Sequence, residues 1–366
     1  MTEPNRLRLL ERQLRQSIGT LTPFCQFVPF VTAFLVALLA ERTVSLAWIA
    51  QAMPTEAKAE SNRKRIQRFL EDRRLTPALF ARIIAAFLPT PPWILAMDRT
   101  NWFLGKTPLN LLVLAVVLSI QDRADRSVAV PLLWMPLPRD GASDTDDTEQ
   151  RKALLSQFLT LFSQERIAYI TADREFIGAE WIAWLLAKRV PFRIRLRKDD
   201  RVTDAKGQVW EAAAVFEKRK SACRTRPFVL WGNAVYLGGK RLTGEDNFLI
   251  VASNAPGSLL EDYRRRWSIE CLFQALKGRG FHLEETRVTE PDRLSVLIGL
   301  LALAYLWCVC AGQGLPERVS NSLGRLRQSV SRRGLDLVHQ VALGLVRQPE
   351  QWQWEHLLRC LRTCKT

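Results

Sequence analysis

Apolar positions along the chain follow two periods, and the change between them divides it. Through Leu7–Leu21, Phe27–Leu39 and Ser45–Met53 they recur at helical spacing. Ser61–Glu71, SNRKRIQRFLE, continues this as a basic helix, with Arg63, Lys64, Arg65 and Arg68 around Ile66, Phe69 and Leu70. After Pro89, Pro91 and Pro92 the pattern shortens to runs at Trp93–Met97, Leu109–Ser119 and Val128–Met135. These predict three strands, the first two able to form a hairpin across Thr100–Pro108. A helix is expected at Glu149–Ser163, a fourth strand at Ile167–Thr171 and a helix at Trp181–Lys188.

Residues 190–252 lack helical periodicity. In Phe192–Lys198, FRIRLRK, three apolar residues alternate with three Arg, which predicts a strand with one buried and one cationic face. Val209–Phe216, Pro227–Leu237 and Asn247–Ser253 are further strand candidates, with Gly238–Gly239 as a turn. The region reads as an antiparallel insertion that begins with the last core strand. Helical spacing returns at Tyr263–Lys277. Leu294–Gly312 carries no charge and is long enough to cross a bilayer, but it follows that helix closely in a chain that otherwise reads as soluble. A buried core helix is expected there. Residues 313–366 read as helical and basic, and the two Trp of Gln351–Trp354 suit packing or an interface better than base stacking. The parts are thus residues 1–88, 89–189, 190–252, 253–312 and 313–366, in an α/β protein with helical ends.

Charge adds a partner to this outline. The 366 residues hold 53 Lys and Arg against 37 Asp and Glu, a formal charge of +16. That excess favours a polyanion, nucleic acid before an anionic membrane surface. The basic helix at Ser61–Glu71 is either a solvated face or a DNA-backbone contact, and the overall charge tips it toward DNA. The seven Cys sit mostly in apolar surroundings, which fits buried free thiols. The three His complete no zinc spacing with them. The charged N-terminus carries no signal-peptide pattern.

Candidate chemistry centres on YRRRWSIECLFQALK. Wound as a helix, Tyr263, Arg266, Glu270 and Lys277 fall within an arc of roughly 60°, flanked by Trp267 and Gln274. A solvated charged face is the ordinary reading of such an arc. A lone Glu among Arg, Lys and Tyr also suits a divalent metal beside a phosphate. Such a metal needs further carboxylates. Asp98, in AMDRTNW, and Asp173, in TADREF, each stand at the C-terminal edge of an expected strand. Either alone reads as a turn or cap residue; adjacent central strands would bring them together. The acidic run Asp144, Asp146 and Asp147 has the wrong spacing for a calcium loop and reads as N-capping in an exposed loop.

These segments resemble the DDE transposases of bacterial insertion sequences, specifically the IS-four family. Tyr263, Arg266, Glu270 and Lys277 match its Tyr-x2-Arg-x3-Glu-x6-Lys signature in residues and spacing, and DRTNW and ADREF look like its two Asp segments. The resemblance implies an RNase H-like mixed-sheet core interrupted by a β-rich insertion, between helical N- and C-terminal regions. It implies that Asp98, Asp173 and Glu270 hold two Mg2+ ions, which Mn2+ can replace. Tyr263, Arg266 and Lys277 would position DNA phosphates, with Trp267, Trp102, Arg63, Lys64, Arg65 and Arg68 as further candidate DNA contacts. The implied activity is cleavage at the terminal inverted repeats of an element, followed by strand transfer into target DNA, with a hairpin at the element's end. The implied partners are double-stranded DNA, both element ends and target, and a second copy in a synaptic dimer. The implied setting is the bacterial cytoplasm, without a membrane. A non-enzymatic domesticated transposase that bridges DNA ends, and a nuclease on the same fold, are the alternatives.

Overall fold

The computed structural model describes residues 24–104, 106–120, 123–137, 144–217, 221–242, 248–315 and 328–347, together with Arg12 and Arg15. Most of the helix expected at Leu7–Leu21, and all of Gln351–Trp354, lie outside the described residues. The N-terminal helices are α1 (Val28–Glu41), α2 (Leu46–Ala52), α3 (Ala59–Leu70) and α4 (Pro77–Ala85). In α3, Ile66, Phe69 and Leu70 are buried, while Arg63, Lys64, Arg65 and Arg68 are exposed. Buried Asn62 fixes the helix, its amide donating to the carbonyls of Ala50 and Ala57 at 3.2 and 3.3 Å.

The sheet holds β1 (Trp93–Leu104), β2 (Thr107–Ile120), β3 (Arg123–Pro136), β4 (Ile167–Ala172) and β5 (Phe192–Arg195) in the order β3-β2-β1-β4-β5. The pairs β1–β2 and β2–β3 are antiparallel; β1–β4 and β4–β5 are parallel. This mixed sheet is consistent with the RNase H-like core. The first hairpin is longer than expected, since pairing runs to Leu104↔Thr107. Thr100 and Trp102 are buried and Asn101 and Phe103 exposed, so strand alternation continues through polar residues.

Beyond β5 the sheet goes on through β11 (Phe248–Ser253), β10 (Asn233–Arg241), β9 (Phe228–Leu230), β6 (Arg201–Thr203) and β7 (Val209–Glu211), with β8 (Ser221–Cys223) also on β10. Gly238–Gly239 is not the turn that its sequence suggests. Both glycines lie inside β10, where a Cβ on Gly239 would come within 2.3 Å of the Phe216 ring. The turn is Trp231–Gly232, whose φ values of 48° and 78° twist the chain as a two-residue hairpin requires.

Helices α5 (Asp144–Phe162) and α6 (Ala179–Ala187) flank β4 in sequence; α7 (Leu259–Arg264), α8 (Trp267–Leu276), α9 (Pro291–Gln313) and α10 (Val330–Arg347) follow the sheet. Two helical stretches, Phe24–Glu41 and Pro291–Gln313, are long and apolar enough to cross a membrane by composition. The apolar window of α9 is wholly buried within the fold, where it packs on β3 and α10. Trp134 of β3 donates to the Ser295 carbonyl and hydroxyl of α9 at 3.0 and 2.9 Å. Cys308 is a buried free thiol, but Cys223 and Cys271 are exposed and Cys310 is disulfide-bonded. Apolar neighbours in sequence thus did not dictate burial or redox state at every Cys.

Candidate active site

The parallel ladder between β1 and β4 ends at Met97↔Ala172. The next residues on the two strands are Asp98 and Asp173, so the end of one ladder sets two carboxylates side by side. Asp98 is not at a strand end, because β1 runs six residues further against β2. Its face of β1 meets α8; the opposite face, bearing Arg99, meets α5.

The helix expected at Tyr263–Lys277 is broken into α7 and α8 at Arg265–Arg266. Dihedrals there remain helical, but the amides of Arg265 and Arg266 reach back only three residues, to Asp262 and Tyr263. The Ser268 hydroxyl takes the Arg265 carbonyl at 2.7 Å. This tight turn aims Tyr263 and Arg266 inward. The Tyr263 hydroxyl donates to Asp173 Oδ1 at 3.0 Å. Arg266 donates from Nη1 to Asp98 Oδ2 at 3.2 Å and from Nη2 to Glu270 Oε1. Arg266 is 8% exposed, and its guanidinium is the cation shared by the carboxylates.

The electrostatics divide the two aspartates. Burial pushes the Asp98 carboxyl up to about 6; Arg266 and the Arg99 amide, at 2.9 Å from Oδ1, pull it only part of the way back. Burial also raises Asp173. There Arg266, the Arg174 amide, Tyr263 and Arg195 outweigh it and hold the group below the ordinary carboxylate range. For Arg266, burial opposes the charge, but Tyr263 and the surrounding carboxylates raise its pKa. The Tyr263 phenol is raised by burial first, with Asp173 adding to it.

Lys277 ends α8, and its ammonium donates to the Asn101 carbonyl at 2.7 Å. The ammonium also lies 5.8 Å from the centroid of the Trp102 ring. Asp98, Asp173, Glu175, Arg266, Glu270 and Lys277 all line one open cleft of about 770 Å³. Of the aromatic candidates for DNA contact, Trp267 is 61% exposed. Trp102 is 6% exposed and lies beneath Lys277, so it offers DNA no free face. The cations of α3 are exposed; Lys64 pairs with Glu60 at 3.2 Å, and Arg65 approaches Asn62.

A supporting layer was missed in the sequence. Asp147 is no exposed cap. It lies in the first turn of α5 and accepts two bonds from Arg99, at 3.0 and 2.5 Å, with Arg151 at 3.8 Å. Arg151 in turn donates to the Glu175 carbonyl at 2.9 Å, and both Arg flank the Phe176 ring. Asp147 therefore joins the strand bearing Asp98 to the turn that follows Asp173. The acidic run was the available signal, but only the tertiary partners give it this role.

Among the described residues, no three His, Cys, Asp or Glu side chains stand close enough together to hold one metal ion. The donor chemistry still fits a hard divalent cation, since every acidic group in the cleft offers carboxylate oxygen. In this conformation Arg266 supplies the balancing positive charge.

A family model for the transposase DDE domain matches residues 107–307, more than half of the chain. The chain belongs to the transposase DDE domain family. The match spans Asp173, Tyr263, Arg266, Glu270 and Lys277 and begins after Asp98. No curated protein matches the transposase. Membership makes it a DNA-acting protein of the transposase nuclease type.

Proposed function

We propose that this transposase belongs to the IS-four family and moves an insertion sequence by cleaving its terminal inverted repeats and joining the freed ends to target DNA. The observation that supports this most is the common end of the β1–β4 ladder, where Asp98 and Asp173 follow the last pair and Arg266 links Asp98 to Glu270. In this reading Asp98, Asp173 and Glu270 hold two magnesium ions, with manganese able to substitute. Bound there, the metal supplies activation of the attacking oxygen and stabilisation of the leaving one.

The chain's own residues orient and balance the site. Tyr263 fixes the Asp173 carboxylate through its hydroxyl. Arg266 offsets the charge of Asp98 and Glu270 and keeps the two groups from repelling each other. Lys277, held at the cleft, presents its ammonium to a DNA phosphate. Exposed Trp267 and the cations Arg63, Lys64, Arg65 and Arg68 extend the contact along the duplex. Residues 1–88 serve as the DNA-binding region and 190–252 as a β-rich insertion, and two copies pair the two ends in a homodimer.

The test is incubation of the purified protein with linear DNA carrying the sequences that flank its gene, with and without magnesium. Asp98→Ala and Glu270→Ala run alongside. The reading expects magnesium-dependent cutting at the element boundary and a strand-transfer product, both lost in the variants. Binding without cutting in magnesium or manganese would favour a non-enzymatic bridging protein, and cutting without joining would favour a nuclease.

A further inference from the structure

Trp102 is four residues beyond Asp98 on β1, paired with Leu109 of β2. It is 6% exposed, and its indole Nε1 is buried without a hydrogen-bond partner. Burying a donor in this way carries a desolvation cost that a Leu at this position would not incur. The ring therefore has to be worth more than its packing.

The ring belongs to the buried core, and it also lies against the Lys277 ammonium. This ammonium is held at two points, the Asn101 carbonyl and the Trp102 face, and both belong to one strand. An ammonium has three N–H donors. One is spent on Asn101 and the π-face takes a second direction, which leaves the cleft side for an incoming acceptor. Burial lowers the Lys277 pKa, so the side chain is partly desolvated where it stands. In such surroundings attraction to an indole face is stronger than at an exposed site. Without the ring, the four-carbon stem of Lys277 regains its rotamers, and the charge no longer has a fixed place relative to Asp98 and Glu270.

We propose that Trp102 is a positioning residue of this transposase, its indole face holding the Lys277 ammonium where a DNA phosphate enters the carboxylate cleft. The inference rests on the proposed function, in which Lys277 meets phosphate.

The test is a double-mutant cycle of Trp102→Leu, Trp102→Phe and Lys277→Met, measuring affinity for a short duplex of the gene's flanking DNA over a range of salt. Each phosphate neutralised contributes about 0.9 to the slope of log affinity against log salt. Lys277→Met is expected to flatten the slope by about one, and Trp102→Leu to flatten it similarly. The double variant is expected to be no flatter than Lys277→Met. Trp102→Phe keeps a ring with a weaker face. It is expected to bind about 2- to 5-fold more weakly than wild type, and to make no difference once Lys277 is Met. If Trp102→Leu does not fold, the Phe cycle decides alone. An unchanged slope in folded Trp102→Leu, or an equal Phe effect with and without Lys277, overturns the proposal. Failure of wild-type protein to bind or cut the DNA would instead strike the proposed function itself.

Discussion

Replacing Asp98 by Asn should make the metal-free protein more stable while destroying its chemistry. The carboxyl is 9% exposed, and burial lifts its pKa from 3.8 to about 6 despite the nearby Arg266. A carboxyl whose folded pKa lies above the unfolded one is held more tightly protonated in the fold. Its stabilising contribution is full below 3.8 and is lost as pH rises through about 6. The gap of roughly two units corresponds to a cost on the order of 3 kcal/mol for keeping Asp98 ionised at neutral pH. Asn resembles the protonated form in shape and charge, so Asp98→Asn should recover part of that cost. About 1–2 kcal/mol is expected after allowing for the weakened bond to Arg266.

The assay is urea unfolding in chelator at several pH values. Wild type should gain about 1 kcal/mol between about pH 7 and pH 5 from this group, and Asp98→Asn should not. Asp173 does not confuse this window. Its pKa is depressed, so its contribution is present above the ordinary carboxylate value and is lost only at lower pH. A variant less stable than wild type at neutral pH, or two parallel pH profiles, would refute the reasoning. Magnesium should favour the wild type in proportion to its binding, since only wild type then keeps the full carboxylate set.

Arg266→Gln acts in the other direction: it leaves Asp98, Asp173 and Glu270 without their shared cation and should cost about 3–5 kcal/mol in metal-free urea unfolding. Adding Asp98→Asn should restore part of that loss, and strictly additive effects would argue against the coupling. Asp147→Ala removes the carboxylate that joins Arg99 to Arg151 and should cost about 1–3 kcal/mol. Faster hydrogen exchange should follow at residues 173–177, and protection equal to wild type there would refute the clamp. Ser268→Ala removes the hydroxyl bond to the Arg265 carbonyl, leaving it only the Ser268 amide at 3.2 Å, and should cost about 0.5–1.5 kcal/mol while weakening DNA cleavage through the aim of Arg266. A stability loss with cleavage untouched would show that the break between α7 and α8 can do without this bond.

Much of the core was legible because its signals are local. The apolar runs that give β1 to β4 survive as strands, and an Asp at the end of each apolar run needs only adjacent strands to form a pair of carboxylates, although β1 itself runs on past Asp98. The arc of Tyr263, Arg266, Glu270 and Lys277 likewise needs only a helical rise and turn. What was hidden depends on depth. A helical wheel gives the direction of Arg266 but not that it points into a carboxylate nest at 8% exposure. The kink at Arg265 was equally hidden, since nothing in YRRRW departs from helical propensity. At the break, the side chain and amide of a residue three positions later both bind the Arg265 carbonyl. The outer strands β7 and β9 lie within the expected Val209–Phe216 and Pro227–Leu237, whereas β6 and β8, three residues each, are too short for alternation to mark them against their loops.

Trp102 and Asp147 carry the same lesson further. The resemblance gives Trp102 a contact with DNA, and the spacing of the acidic run gives Asp147 a cap in an exposed loop. Each is instead a partner of a cation that the sequence places far away, Lys277 for Trp102 and Arg99 for Asp147. The chain carries a formal charge of +16, yet the cations nearest its carboxylates are engaged by the protein itself. An arrangement of this kind stores positive charge inside the cleft in fixed positions and leaves the surface cations to attract the duplex. Affinity and chemistry then draw on overlapping sets of basic residues. Neutralising Arg63 or Arg68 should change how tightly DNA binds, Arg266 should change what happens to it once it is there, and Lys277 should change both.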